Sequence, residues 1–242
     1  MSSTSEPLGA PERAFADLHC HTSWSPDSLS RPARVVQAAA ERGLTHLAIT
    51  DHGRIEGALE ARAAAAEGLV VIVGQEISTS DGDLIGLFLH HAVPEGLSAA
   101  DAAAAVREQG GLVGLAHPYD RFRGSVLARR VAAPDMDALA PLVDYVETFN
   151  ARVPIAQANE RAAAWAARHG LPGAAVSDAH TLVEVGVSYV VLDGPIRGPD
   201  DLRRALPAAE IVASRASYAV RLATPIARLV HRVRGDRPEA RA

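Results

Sequence analysis

Four times along the chain an alanine-rich segment with charged residues at helical spacing gives way to a glycine and then to a short apolar run. The helical segments are RPARVVQAAAER (31–42), IEGALEARAAAAE (55–67), SAADAAAAVREQ (98–109) and ANERAAAWAARH (158–169). Apolar positions recur in them every three to four residues, which places them on one helix face. The junctions that follow are ERGLTHLAIT, AEGLVVIVGQE, EQGGLVGLAHP and RHGLPGAAVSDA. They share one order: polar helix end, Gly, Leu, apolar run. Glycine just past a helix tolerates the left-handed turn that ends it, and the chain then enters a strand. Ser98, three residues before Asp101, resembles the start of a capping box with Asp in place of Glu. FADLH (15–19), DLIGLFL (83–89), DYVETFN (144–150) and VSYVVL (187–192) are further strand candidates.

Strand and helix alternating this often predict an α/β fold with a mainly parallel sheet, either a barrel or a doubly wound layer. No GxGxxG opens a helix, so a dinucleotide-binding fold loses its main support. Residues 1–13 and about 234–242 read as disordered.

Reactive side chains fall at one end of the predicted strands. His19 and His21 close FADLHCH, Asp51 and His52 close LAITDH, and Glu76 closes VVIVGQE. Asp83 opens DLIGLFL, His117 closes LVGLAHP, Asn150 and Arg152 follow VETFN, and Asp178 and His180 close AAVSDAH. The C-terminal rim is where loops converge and sites form in α/β barrels. Side chains two apart on a strand share a face, so His19 and His21 can grip one ion while Cys20 points away; Asp178 and His180 have the same spacing. Asp51 and His52 are adjacent and cannot share a face. His52 is the better choice to reach a metal, with Asp51 orienting a neighbouring ligand. Each piece has an ordinary structural explanation, such as strand polarity for His-x-His or a helix cap for TDHG and SDAH. Five such coincidences on one rim favour a metal site. His46, His169 and His231 read as structural, and His90 and His91 as spare ligands.

Composition narrows the chemistry. At 242 residues and 48% hydrophobic content the chain can bury a sizeable core. All 24 basic residues are arginine, which excludes a Schiff-base lysine and a Walker-type phosphate lysine. Cys20 alone forms no internal disulfide, and no apolar run approaches the ~18 residues of a membrane span. A cytoplasmic protein without a membrane span is expected. Residues 215–242 hold seven Arg against Asp236 and Glu239, net +5, which leaves −10 on the first 214 of a total of −5. The tail places Val220, Leu222, Ile226, Leu229, Val230 and Val233 among those arginines. It reads as a basic amphipathic segment, with packing on the barrel preferred over a subunit interface or an anionic surface, and with Pro225 kinking any single long helix.

DLHCHT, TDH, GQE, AHP and SDAH, in this order, resemble the motifs of the PHP (polymerase and histidinol phosphatase) family of metal-dependent phosphoesterases. The resemblance covers about residues 15–215. It implies a distorted (β/α)7 TIM-like barrel over residues 14–214 with a trinuclear metal centre at its C-terminal rim. Carried over by position, His19, His21, Glu76 and Asp178 would hold the first metal. Glu76 would bridge to a second bound also by His117, and Asp27, His52 and His180 would hold a third. Family members commonly have a histidine where this chain has Asp83 in DGDLIGLF. Asp83 can still bind Zn²⁺, Mn²⁺ or Fe²⁺, but it hardens the second position, so two or three ions are expected.

The resemblance implies a phosphoesterase acting through a metal-activated hydroxide, with Glu76, Asp51, and His180 or Asp178 as catalytic residues, one of the last two protonating the leaving oxygen. Arg121, Arg123, Asn150 and Arg152 are the candidates for binding substrate phosphate. The expected substrate is a phosphorylated metabolite, a nucleotide or the 5′ end of an oligonucleotide. Length and layout look closer to the stand-alone nucleotide-directed members, often labelled TrpH-like, and relatives in the family include 5′–3′ exonucleases. A histidinol-phosphatase-like enzyme and a metal-binding scaffold without catalysis are the alternatives. Amidohydrolases on a similar barrel typically use a lysine that this chain lacks.

Overall fold

A computed structural model describes residues 13–120, 136–217, 220 and 223–235. The strands are β1 (Arg13–Asp17), β2 (His46–Ile49), β3 (Val70–Thr79), β4 (Gly82–Leu87), β5 (Leu112–Leu115), β6 (Tyr145–Asn150), β7 (Gly173–Val176), β8 (Tyr189–Asp193) and β9 (Glu210–Val212). The α-helices are α1 (Pro32–Glu41), α2 (Glu56–Ala64), α3 (Ala99–Glu108), α4 (Ala156–Arg168), α5 (Pro199–Ala205) and α6 (Ala223–Arg234), and a 3₁₀ segment covers Met136–Leu142. The glycine grammar holds. Gly43 after α1 and Gly170 after α4 sit at φ 77° and 64°, the left-handed turn that glycine permits. Ser98 caps α3, its Oγ accepting the Asp101 N–H at 3.1 Å.

The strands form one sheet in the order β7-β6-β5-β4-β3-β2-β1-β8-β9. Its edges meet. Beyond β1 the chain bridges the segment after β7, with the Asp178 N–H donating to the His19 carbonyl at 2.9 Å and the His21 N–H to the Ala179 carbonyl at 2.8 Å. This makes a nearly closed α/β barrel from β1 to β7, the distorted form expected. Seven of the nine described strands run in one direction, with β4 and β8 reversed. β4 runs antiparallel to both β3 and β5, and β8 and β9 add two more antiparallel pairings. The reason is local. Only Ser80 and Asp81 separate Thr79 from its partner Gly82, and a parallel return needs a dozen residues or more.

Two apolar layers flank the sheet. Val35, Ala39, Ala58, Ala102, Val106 and Trp165 pack helices onto its outer face, where Cys20 is also buried. Leu18, Ile72, Ile85, Leu87, Leu112 and Tyr145 fill the barrel interior. That plug excludes water from the lower barrel, so interior polar side chains gather at the C-terminal rim. Gly114 in β5 admits the Tyr145 ring; a Cβ there would lie 2.3 Å from Cζ.

The termini depart from expectation where they are described. Arg13, placed in the disordered N-terminus, opens β1 and pairs with Asp193. Among the tail positions, Pro225 lies in the first turn of α6, where proline is tolerated, and kinks nothing. α6 packs through Ala227 and His231, which are buried, while Ile226, Leu229 and Val233 of the apolar stripe are exposed. Leu222 lies outside the described residues, as do 1–12 and 236–242. No helix among the described residues is long and apolar enough to cross a membrane.

Candidate metal centre

Strand β3 and the start of β4, with the loops after β1, β2, β5 and β7, bring all nine predicted ligands to the rim. His117 and Asp178 hold φ of 25° and 52°, a conformation that non-glycine residues adopt where the surrounding structure imposes it. Ligand atoms within 4.8 Å of one another form three groups among the described residues: His19, His21 and Glu76; Glu76, Asp83 and His117; and His21, Asp27, His52 and His180. Asp178 Oδ1 stands 3.7 Å from His19 Nε2 and 3.6 Å from His21 Nε2.

Hydrogen bonds behind the rings set the tautomers. His19 Nδ1 lies 2.6 Å from Glu147 Oε1, and His180 Nδ1 2.9 Å from the Asp178 carbonyl. Carboxylates and carbonyls accept, so both rings carry a proton on Nδ1. His21 Nδ1 lies 3.0 Å from Ser25 Oγ. The single hydroxyl hydrogen of Ser25 goes to Asp51 Oδ1 at 2.6 Å. Its oxygen therefore accepts from His21 Nδ1–H and from the His52 N–H at 3.2 Å. All three rings turn Nε2 towards the centre, as metal-binding histidines do. His19 Nε2 and His21 Nε2 stand only 2.9 Å apart. Two imidazole nitrogens that close need a proton or a metal cation between them, so the donor set fits a bound metal.

Glu76 is the hub. Its Oε2 lies 3.3 Å from His19 Nε2, 3.2 Å from His21 Nε2 and 3.3 Å from His52 Nδ1, and its Oε1 lies 3.0 Å from His117 Nε2. Burial alone would raise its pKa, but His52, His19 and the hydrogen bond from His117 hold it well below the usual carboxylate range. Asp27 Oδ2 faces His52 Nε2 at 3.4 Å and His180 Nε2 at 3.3 Å, while its Oδ1 is buried without a hydrogen-bond partner among the described residues. An orphaned carboxylate oxygen is costly unless a cation serves it. Burial carries His180 down to about 4 despite Asp27, with help from His21 and Arg152. Burial also opposes charge on His52, yet Glu76 and Asp27 raise it to about 10. Without metal, a proton on His52 neutralises these carboxylates.

The remaining predicted residues sort differently. Asp51 does not enter the ligand groups: it accepts from the Thr22 N–H at 2.7 Å, Thr22 Oγ1 at 2.6 Å and Ser25 Oγ, bracing the loop that carries His21 and Asp27. Asn150 is fully buried, and its Nδ2 donates to Glu147 Oε2 and Asp178 Oδ2, both at 2.9 Å, so it braces the site from behind. Arg152 Nε pairs with Glu184 Oε1 at 3.2 Å and its Nη2 donates to Thr224 Oγ1 at 2.8 Å. Arg121 and Arg123 lie outside the described residues. His90 and His91 are exposed and join no ligand group, whereas His46 donates from Nε2 to the buried Ile196 carbonyl at 2.9 Å. Sequence reading missed Ser25, Glu147 and Glu184. Ser25 sits within DLHCHTSWSPD, four residues after His21, and was the most accessible of the three.

A nearly closed barrel whose rim gathers imidazoles and carboxylates into adjoining groups defines a class of protein able to hold several divalent ions side by side. Residues 17–149 match the PHP domain and residues 156–211 the PHP-associated region. The chain belongs to the PHP domain family. It is 37% identical over 147 residues to an uncharacterised protein of Methanocaldococcus jannaschii, spanning 56% of this chain and 81% of that one. Over 98 residues it is 38% identical to a 5′–3′ exoribonuclease of Haemophilus influenzae, 38% of this chain and 35% of that one. Among solved structures, it superposes on a two-domain Bacteroides vulgatus protein containing a predicted PHP-like metal-dependent phosphoesterase. The TM-score is 0.69 at 19% identity, over 88% of this chain and 70% of that one. At that identity the likeness bears on the fold.

Proposed function

We propose that the chain hydrolyses phosphate esters with two or three divalent ions, Zn²⁺, Mn²⁺ or Fe²⁺, held by the nine predicted ligands. One observation carries this reading: the two oxygens of Glu76 face histidines of all three ligand groups within 3.3 Å. When bound, such ions lower the pKa of water and neutralise phosphoryl oxygens. The protein's own part is positioning. Glu147, Ser25 and the Asp178 carbonyl hold the Nδ1 protons of His19, His21 and His180, and Asn150 holds Asp178. His180 is neutral at pH 7 with its proton committed on Nδ1, so it serves as a ligand and not as the acid. Asp178 is then the group that takes a proton from the attacking water and returns it to the leaving oxygen.

The charge of −10 over the first 214 residues favours a small phosphorylated metabolite or nucleotide. The partial likeness to an exoribonuclease supports a second reading, in which a TrpH-like enzyme acts at an oligonucleotide 5′ end. Turnover of a generic phosphomonoester, a phosphodiester and a 5′-phosphorylated RNA by metal-loaded protein separates these. Glu76→Gln should lose turnover and bound metal together; full activity in that variant refutes the reading. Metal-loaded protein that hydrolyses none of the three is a scaffold.

A further inference from the structure

Helix α6 reaches the rim from the far end of the sequence. Thr224 accepts from Arg152, Ala227 is buried, and His231 Nε2 donates to the Ser28 carbonyl at 2.8 Å. These positions are spaced as one helix face, and that face lies on the loop carrying Asp27. Between them Arg228 extends Nη2 to within 3.2 Å of Asp27 Oδ2, the same oxygen that His52 and His180 approach. The two ends of this pair differ sharply. The Asp27 side chain is 5% exposed, while that of Arg228 is 59% exposed. One edge of the guanidinium meets the ligand group and the rest opens to solvent at the mouth of the site. Arg152, by contrast, is 7% exposed, with Nε and Nη2 engaged by Glu184 and Thr224.

We propose that Arg228 is a substrate-positioning residue, binding the phosphoryl group of the ester from the open side of the Asp27–His52–His180 group. This rests on the phosphoesterase reading and deepens it. A guanidinium presents five donors in a planar fork. One donor on Asp27 fixes the orientation of that fork, and the outward donors suit two oxygens of a phosphate, a bidentate match that lysine cannot make. The phosphate would be recognised by an element outside the barrel, placed there by the Thr224, Ala227 and His231 contacts.

The test measures inorganic phosphate binding to Mn²⁺-loaded full-length protein by calorimetry, beside steady-state kinetics on a phosphomonoester. Losing one charge-assisted, bidentate contact should weaken phosphate binding and raise KM roughly 10- to 100-fold in Arg228→Gln. Bound Mn²⁺, kcat and Tm should stay near wild type. Arg228→Lys should recover only part of the loss, and Arg62→Gln, the same charge change at an exposed position of α2, should leave phosphate affinity and KM unchanged. Unchanged phosphate affinity in Arg228→Gln overturns the proposal. So does a change confined to Mn²⁺ affinity, which would make Arg228 a brace for Asp27. Wild-type protein that binds phosphate through Arg228 but hydrolyses no ester sinks the phosphoesterase reading and leaves the Arg228 assignment standing. Wild-type protein that binds no phosphate sinks the assignment.

Discussion

Removing the Ser25 hydroxyl tests whether the hydrogen-bond shell around the rim, and not the ligands alone, makes the metal centre. In Ser25→Ala three contacts go at once: the acceptor for His21 Nδ1–H at 3.0 Å, the donor to Asp51 at 2.6 Å and the acceptor for the His52 N–H at 3.2 Å. His21, Ser25 and Asp51 are each at most 1% exposed, so water replaces none of them readily. An orphaned buried donor costs about 1–3 kcal/mol, and a lost hydrogen bond to a carboxylate about 1.5–3 kcal/mol. Asp51 keeps both bonds from Thr22, so the upper sum overstates the loss, and about 2–4 kcal/mol of unfolding free energy is expected. Metal affinity should fall separately, by roughly 10- to 100-fold, because His21 can then protonate on Nε2 and turn its donor towards the ion. Urea unfolding in chelator gives the first quantity and Mn²⁺ titration of the folded protein gives the second. Ser25→Thr keeps the hydroxyl and should retain Mn²⁺ affinity better than Ser25→Ala. If Ser25→Ala binds Mn²⁺ as tightly as wild type, the tautomer argument is wrong, whatever happens to stability.

Gly57→Ala should destabilise the fold by about 1–3 kcal/mol in urea melts, since its Cβ would lie 2.0 Å from Asp51 Oδ2 and 2.5 Å from Thr22 Oγ1, neither free to retreat. A loss below about 0.5 kcal/mol would show that the Asp51 brace yields, against the rigidity claimed for it. Metal uptake should also release protons. His52 is held at about 10 in the metal-free protein, so its proton-bound form is favoured in the fold up to that pH and must be given up to the ion. Metal affinity therefore rises with pH between about 7 and 10, and calorimetry at pH 8 in buffers of different ionisation enthalpy should show protons leaving from His52 and from His19, which Glu147, Asp178 and Glu76 hold well above the ordinary histidine range against burial. No proton release at pH 8 would contradict the charge balance drawn around Glu76 and Asp27.

How legible these features were depended on whether the information was local. Helix ends, glycine turns and the strand-terminal histidines are all written within a few residues of themselves. The four glycine junctions therefore located β2, β3, β5 and β7, and the apolar runs FADLH, DLIGLFL, DYVETFN and VSYVVL located β1, β4, β6 and β8. Strand direction was less legible. β4 has no helix before it, and the missing alanine-rich segment between GQEISTS and DLIGLFL was the available sign that the chain turns back there. α5 and the three-residue β9 are too short for periodicity to show them. α6 misled because its largest apolar side chains face solvent while an alanine and a histidine make its contact.

The ligands were legible and their supports were not, and β6 shows why. Glu147 and Asn150 are three apart, so strict alternation puts them on opposite faces of a strand. The register slips between Glu147 and Phe149: Glu147 pairs with Ala174 and Phe149 with Ala175, leaving Thr148 as an extra residue. Such a bulge reverses the alternation beyond it. Glu147 and Asn150 then face the same way, and Asn150 joins Glu147 to Asp178 while Glu147 also accepts the His117 N–H at 3.0 Å. One irregular residue thereby ties the ring of His19, the backbone of His117 and the carboxylate of Asp178 into a single network. Nothing within VETFN announces it, since the bulge exists only relative to the neighbouring strand. A ligand is recognisable from its own type and place, whereas the group that aims it depends on pairings made across the barrel, and the metal centre needs both.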